Sequence, residues 1–120
     1  MNGHVDNNGR ALVNVSVRPS DAVAVCEIQA WIDTGFTGDL VLPQRRIDDL
    51  ALPQTGTVNA ILADGSEVVL QRFTCLIDWF GEERHLEVVA NDGRYALLGV
   101  GLLLGFDLHI SYRTGEITIK

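Results

Sequence analysis

A chain of 120 residues holds one domain, residues 1–120, and can bury roughly two thirds of the surface it exposes when unfolded. Apolar residues make up 47% and charged residues 21%, the balance of a folded soluble protein rather than a disordered one. The net charge of -7, from 16 acids against 9 bases with Lys120 the single lysine, excludes nucleic acid as an expected partner, because phosphate binding needs a basic face.

Met1 to Arg10 is polar and lacks a charged stretch followed by an apolar core, so it does not read as a secretory signal. No apolar run approaches the ~20 residues of a spanning helix, and a cytoplasmic setting without a membrane partner is the default expectation. Ala11 to Arg18 alternates, with Ala11, Val13, Val15 and Val17 on one face, and Pro19 stops it. This predicts a half-buried strand. After a turn at Pro19-Ser20-Asp21, residues 22–32 place Ala24, Cys26, Ile28, Ala30 and Ile32 on one face. A second strand is expected there, forming a hairpin with the first and delivering Asp33 at its end.

Leu40-Val41-Leu42 is a short apolar run closed by Pro43, and Gln44 to Leu50, with Ile47 and Leu50 three apart, predicts one or two helical turns on the surface. Thr57 to Leu62 and Ser66 to Phe80 flank Asp64-Gly65, a signal for a two-residue hairpin of type I′. The longer arm puts Val69, Phe73, Cys75, Ile77 and Trp79 on one side, and a turn at Gly81-Glu82-Glu83 sends the chain back through Leu86, Val88 and Ala90. Tyr95 to Leu104 is almost all apolar and is punctuated by Gly99, Gly101 and Gly105. A core helix over Val100 to Leu104, closed by Gly105, fits it. Leu108 to Tyr112 and Glu116 to Ile119 form a last hairpin around Thr114-Gly115. The sum is an all-β, mostly antiparallel domain with one short C-terminal helix.

Cys26 and Cys75 lie in separate apolar stretches with no ligand spacing, and His4, His85 and His109 are scattered; no metal and no other cofactor is expected. Leu52-Pro53-Gln54-Thr55-Gly56 spells a cell-wall sorting signal without the following apolar helix and basic tail that such a signal requires. Asn14-Val15-Ser16 matches a glycosylation acceptor that has no opportunity for modification without a secretory route.

The stretch that carries chemistry is Ala30 to Pro43, Ala-Trp-Ile-Asp-Thr-Gly-Phe-Thr-Gly-Asp-Leu-Val-Leu-Pro. Asp33 stands at the mouth of an apolar strand with apolar sequence resuming after two glycines. A carboxylate there is costly to desolvate unless it is hydrogen-bonded or shares a proton. Thr34 adds a hydroxyl able to donate and accept, and Gly35 allows close backbone approach. A solvated turn is the plain alternative, since Asp, Thr and Gly are all turn residues.

Ala30 to Pro43 resembles the active-site loop of the retropepsin-like aspartic proteases, and Leu97-Leu98-Gly99 stands where that family carries two apolar residues and a glycine before a short helix. With the Ala63-Asp64-Gly65 hairpin between them, the resemblance spans most of the chain and is closest to the small bacterial members. Phe36 departs from the pattern, in which alanine follows the triplet. The resemblance implies a retropepsin-like acid-protease β-barrel with a flap hairpin and an aspartic endopeptidase activity on peptide or protein substrates. It implies Asp33 as the catalytic acid, Thr34, Gly35, Leu98 and Gly99 as its support, and Leu62, Ala63, Asp64 and Gly65 as the flap over substrate.

Peptide hydrolysis by this route uses two carboxylates sharing one proton, and the chain has one such triplet. The second acid is then expected from a second copy, in a homodimer with Asp33 facing its mate on the two-fold axis. The Leu108 to Ile119 hairpin is the candidate interface. Two other readings compete: a non-catalytic peptide-binding or assembly module on the same fold, and an unrelated β-barrel in which Asp33 only caps a turn.

Overall fold

The computed structural model describes residues 1–20 and 25–120; the turn position Asp21 and the strand positions expected at 22–24 lie outside the described residues. The described chain forms ten strands and two short helices: β1 (Asn2–Val5), β2 (Ala11–Arg18), β3 (Cys26–Ile32), β4 (Leu40–Pro43), α1 (Gln44–Leu50), β5 (Gln54–Ile61), β6 (Glu67–Trp79), β7 (Glu82–Asn91), β8 (Ala96–Leu98), α2 (Val100–Leu103), β9 (Leu108–Ile110) and β10 (Glu116–Ile119). The sheet runs in the order β5-β6-β7-β4-β8-β3-β2-β1-β10-β9. Because β2 also pairs with β6, at Ser16↔Asp78 through Arg18↔Leu76, the six strands from β6 round to β2 close into a barrel.

The alternation of β2 turns Val13, Val15 and Val17 inward, where each is at most 2% exposed. Opposite them β3 contributes Ile28, Ala30 and Ile32, and the two strands pair antiparallel from Leu12↔Trp31 to Val17↔Cys26. Phe73, Cys75, Ile77, Trp79, Leu86, Val88 and Leu98 complete this core. Together they remove most of the barrel's apolar surface from water, the dominant stabilising contribution for a domain of this kind. Burying Leu98, which is fully enclosed, contributes about 2 kcal/mol on transfer alone.

Two pairings set the geometry of the Asp33 end. Strand β8 lies between β3, to which it is parallel with Ile32↔Leu98, and β4, to which it is antiparallel with Leu40↔Leu98. Residues 33 and 99 therefore leave the sheet side by side. Helix α1 starts directly after Pro43, anchors itself with buried Ile47 and stops at Ala51 in the left-handed region, φ 52. Helix α2 buries Leu102 and Leu103 and is followed by Gly105 at φ 86, the left-handed stop anticipated from its sequence position.

Three features differ from the pattern-based expectations. The polar amino-terminal stretch contains β1, which pairs with both β2 and β10 and ties the two ends of the described chain together. Val69 is 68% exposed rather than inward, because the outer half of β6 pairs only with β5. The turn at the tip of that hairpin is also not a two-residue type I′ turn. The Gly65 amide donates to the Leu62 carbonyl (2.9 Å), the Leu62 amide donates to the Ser66 carbonyl (2.8 Å), and only Gly65 has positive φ, at 86°. This is a three-residue loop closed by a glycine bulge, further fixed by the Ser66 amide and hydroxyl donating to the Asp64 carboxylate. Two consecutive residues with positive φ occur instead at Phe80 (52°) and Gly81 (79°), between the paired Trp79 and Glu82. No helix among the described residues is long and apolar enough to cross a membrane.

Candidate active site

Asp33 follows the last residue of β3, half-buried. Its amide donates to the Leu98 carbonyl (2.9 Å), so the strand pairing of β3 with β8 continues one residue into the loop. One carboxylate oxygen, Oδ1, accepts from the Gly35 amide (2.9 Å), and the Asp33 carbonyl accepts from the Phe36 amide (3.2 Å). The chain thus turns sharply around the carboxylate and points its Oδ1 at a backbone donor. A side chain at residue 35 would bring its Cβ within 3.2 Å of that same oxygen. Thr34 is exposed, and its hydroxyl has no hydrogen-bond partner among the described residues.

The loop is then locked from the other side. Gly99 donates to the Asp39 carbonyl (2.9 Å), Val100 to the Phe36 carbonyl (2.8 Å) and Gly101 to the Gly38 carbonyl (2.9 Å). Together with the Asp33 to Leu98 bond, four main-chain hydrogen bonds join residues 33–39 to residues 98–101. Two backbones can cross this closely only without side chains between them. A Cβ on Gly99 would sit 2.1 Å from the Gly38 carbonyl oxygen and 2.5 Å from the Phe36 ring, and one on Gly101 would sit 2.1 Å from Asp39 Oδ1. Phe36 fits where the resembling family carries alanine because its ring lies against Gly38 and Gly99, both of which lack a Cβ.

Asp39 carries a carboxyl held above its ordinary value, chiefly by burial; the Arg84 guanidinium and the Glu87 amide oppose the shift, and the Glu87 carboxylate adds to it. The same burial, with Asp39 nearby, pushes the Cys75 thiol up to about 12, so it stays protonated and is no nucleophile at neutral pH.

Of the residues singled out in the sequence, the structure brings Asp33, Gly35, Leu98 and Gly99 into one hydrogen-bonded crossing with Thr34 at its exposed edge. Leu62, Ala63, Asp64 and Gly65 are placed at the tip of the β5–β6 hairpin, all exposed, with hydrogen bonds inside their own turn. Sequence reasoning did not single out Gly38, Asp39 and Gly101 as parts of the crossing. The spacing of Gly99 and Gly101 is a signal of close backbone approach, but its partner is some sixty residues earlier and is not visible locally.

Strand order, barrel closure and this crossing define an acid-protease barrel; the chain has the retropepsin-like aspartic protease fold. Its structure is similar to a retropepsin-like aspartic protease from Rickettsia conorii, with a TM-score of 0.68 and 21% identity over 99% of this chain and 88% of that one. It is also similar to the EIAV protease in complex with an inhibitor (TM-score 0.57, 17% identity, 82% and 88% of the two chains) and to the simian foamy virus protease (TM-score 0.53, 18% identity, 77% and 90%). No family model and no curated protein sequence matches the chain.

Proposed function

We propose that the protein is an aspartic endopeptidase that hydrolyses peptide bonds with a water activated between Asp33 and the Asp33 of a second copy. The observation that carries this reading is the Asp33 carboxylate, placed half-buried at a strand end by the four-bond crossing and aimed at the Gly35 amide. The single domain supplies half of the site. One carboxylate, ionised, takes a proton from water as it attacks the scissile carbonyl, and the other, protonated, gives its proton to the developing oxyanion. Two like charges this close cannot both ionise, which keeps one proton on the pair.

In this reading Thr34, whose hydroxyl has no partner among the described residues, bonds across the dyad and holds the two acids coplanar. Gly35 admits its amide to the carboxylate, while Leu98 and Gly99 support the loop from beneath. Leu62 to Gly65 covers an extended peptide, recognised by main-chain pairing along the hairpin. The Leu108 to Ile119 hairpin is the candidate dimer contact; a soluble, folded dimer of a chain truncated after Gly105 would remove it from consideration.

The second reading, a non-catalytic peptide-binding module, is favoured by one observation: the bulky Phe36, in place of the family's alanine directly after the Asp-Thr-Gly triplet, with its ring packed against Gly38 and Gly99 in the crossing. Cleavage of a diverse peptide mixture, read by mass spectrometry for wild type and Asp33→Asn from acidic to neutral pH, separates the two. Endopeptidase function predicts new peptide ends with wild type alone and a bell-shaped pH dependence belonging to the shared-proton pair. Folded, dimeric wild type that binds peptides but makes no new ends supports the module instead.

A further inference from the structure

The arginines of this acidic chain are not distributed evenly with its carboxylates. Arg10 pairs with Asp6, Arg18 with Asp78 and Glu83, and Arg72 with Glu87. Arg45, Arg46, Arg84, Arg94 and Arg113 form no ion pair among the described residues, and of these Arg46, from α1, and Arg94, from the loop before β8, come together on one wall. Both line one cavity of about 130 Å³, together with Gln29 and Tyr95 and the apolar walls Ile28 and Pro43. No carboxylate among the described residues lines it.

Two arginines on the wall of one cavity bring like charges to it that an anion would offset. The rest of the cavity is built to hold its shape. The Arg45 Nη2 donates to the Arg94 carbonyl (3.3 Å), fastening the loop to α1. Tyr95 packs edge-on against Trp31, with ring centroids 6.0 Å apart, and the Arg10 guanidinium, itself paired with Asp6, lies 4.6 Å from the Tyr95 ring centre. The cavity, about 130 Å³ and partly open to solvent, has room for a carboxylate or phosphate group.

We propose that this cavity is a binding site for a small oxyanion, a carboxylate or a phosphate, gripped by the Arg46 and Arg94 guanidiniums with Gln29 and Tyr95 as further donors. Planar, fork-shaped guanidinium donors match both anions. The site is separate from the Asp33 loop and does not depend on proteolysis: Gln29 lies four residues before Asp33 on β3, about 13 Å along an extended strand.

The test is a titration of isotope-labelled protein, followed by amide NMR shifts, with sodium phosphate and separately with sodium succinate, ionic strength being held constant with sodium chloride. The expected result is saturable shifts at Gln29, Arg46, Arg94 and Tyr95 with half-saturation at about 10 mM or below; whichever anion saturates identifies the chemistry. Arg46→Gln and Arg94→Gln should each weaken it about tenfold, the size of a lost charged hydrogen bond, while Arg113→Gln in the distant β9–β10 turn leaves it unchanged. Wild-type shifts that drift without saturating for both anions, or that saturate at other arginines, would overturn the proposal without recourse to any variant. Equal affinity in well-folded Arg46→Gln and Arg94→Gln proteins would overturn it too.

Discussion

The Asp33 crossing and the β5–β6 hairpin are both presented by the same barrel, and they are held in opposite ways. The crossing is bonded to a distant part of the chain by four main-chain hydrogen bonds, with glycines where the two backbones touch. The hairpin bonds to itself, pairs with the barrel only through the inner part of β6, and leaves Ile61 at 74% and Val69 at 68% exposure. Few buried contacts and solvent-exposed ladders mean that the hairpin opens at lower free-energy cost than the crossing. In the proposed enzyme a fixed carboxylate and a looser arm with exposed apolar side chains would divide the labour of a peptide-cleaving site, since the acid must be fixed while the substrate must enter.

The largest difference between the two regions is expected when one methyl group is added to each. Gly99→Ala forces a Cβ against backbone atoms that cannot move independently, and should cost about 3 kcal/mol or more, or prevent folding, as measured by urea unfolding. Gly65→Ala meets nothing within 4 Å and pays only for its left-handed φ of 86, about 1 kcal/mol. Equal costs at the two positions would contradict the rigid-versus-loose distinction.

Polar replacement of the exposed hairpin residues should have a smaller effect. Ile61→Ser and Val69→Ser should leave stability within about 0.5 kcal/mol of wild type, because little apolar area is lost from the core. In the proposed enzyme the same changes should raise KM for peptide substrates. A clear loss of stability would show that these side chains are packed rather than waiting for a partner.

The smallest effect concerns Asp39 at the base of the crossing. Its folded-state pKa is raised by burial, so its favourable contribution is complete below the ordinary value of 3.8 and is lost as pH rises through the raised value. Asp39→Asn stays neutral and can still accept from the Glu87 amide. The variant should therefore gain stability relative to wild type at neutral pH, with the difference vanishing below about pH 3.8, as followed by melting temperature against pH. A wild-type advantage at neutral pH would mean that the Arg84 charge outweighs burial.

Legibility in the sequence follows the range of the interactions. The bounds of β2 and α1, the Asp33 strand end and the final hairpin come from local alternation and stop residues, and local physics forms them. The role of β1 was illegible because a polar four-residue strand is stabilised by its two neighbours rather than by its own pattern. Val69 misleads because alternation gives a face but not whether the barrel extends far enough to cover it. The turns show the same limit. Asp64-Gly65 carries the stronger type I′ signal, yet two successive positive φ values occur at Phe80-Gly81. There the Phe80 ring stacks on Phe106 at 4.3 Å, a tertiary contact that offsets an unfavourable backbone conformation. The candidate acid was legible as a residue; the crossing that holds it joins segments some sixty residues apart and emerges only with the fold.

If each chain supplies one carboxylate of a shared pair, mixing intact and acid-less chains reveals it. Wild-type and Asp33→Asn chains, unfolded together and refolded in varying ratios at constant total concentration, should pair at random. If both acids are required, peptidase activity falls as the square of the wild-type fraction, to about one quarter at an equal mixture. Activity that falls only to about three quarters, as for dimers in which a single Asp33 suffices, or to about one half, as for chains acting independently, would contradict the dyad.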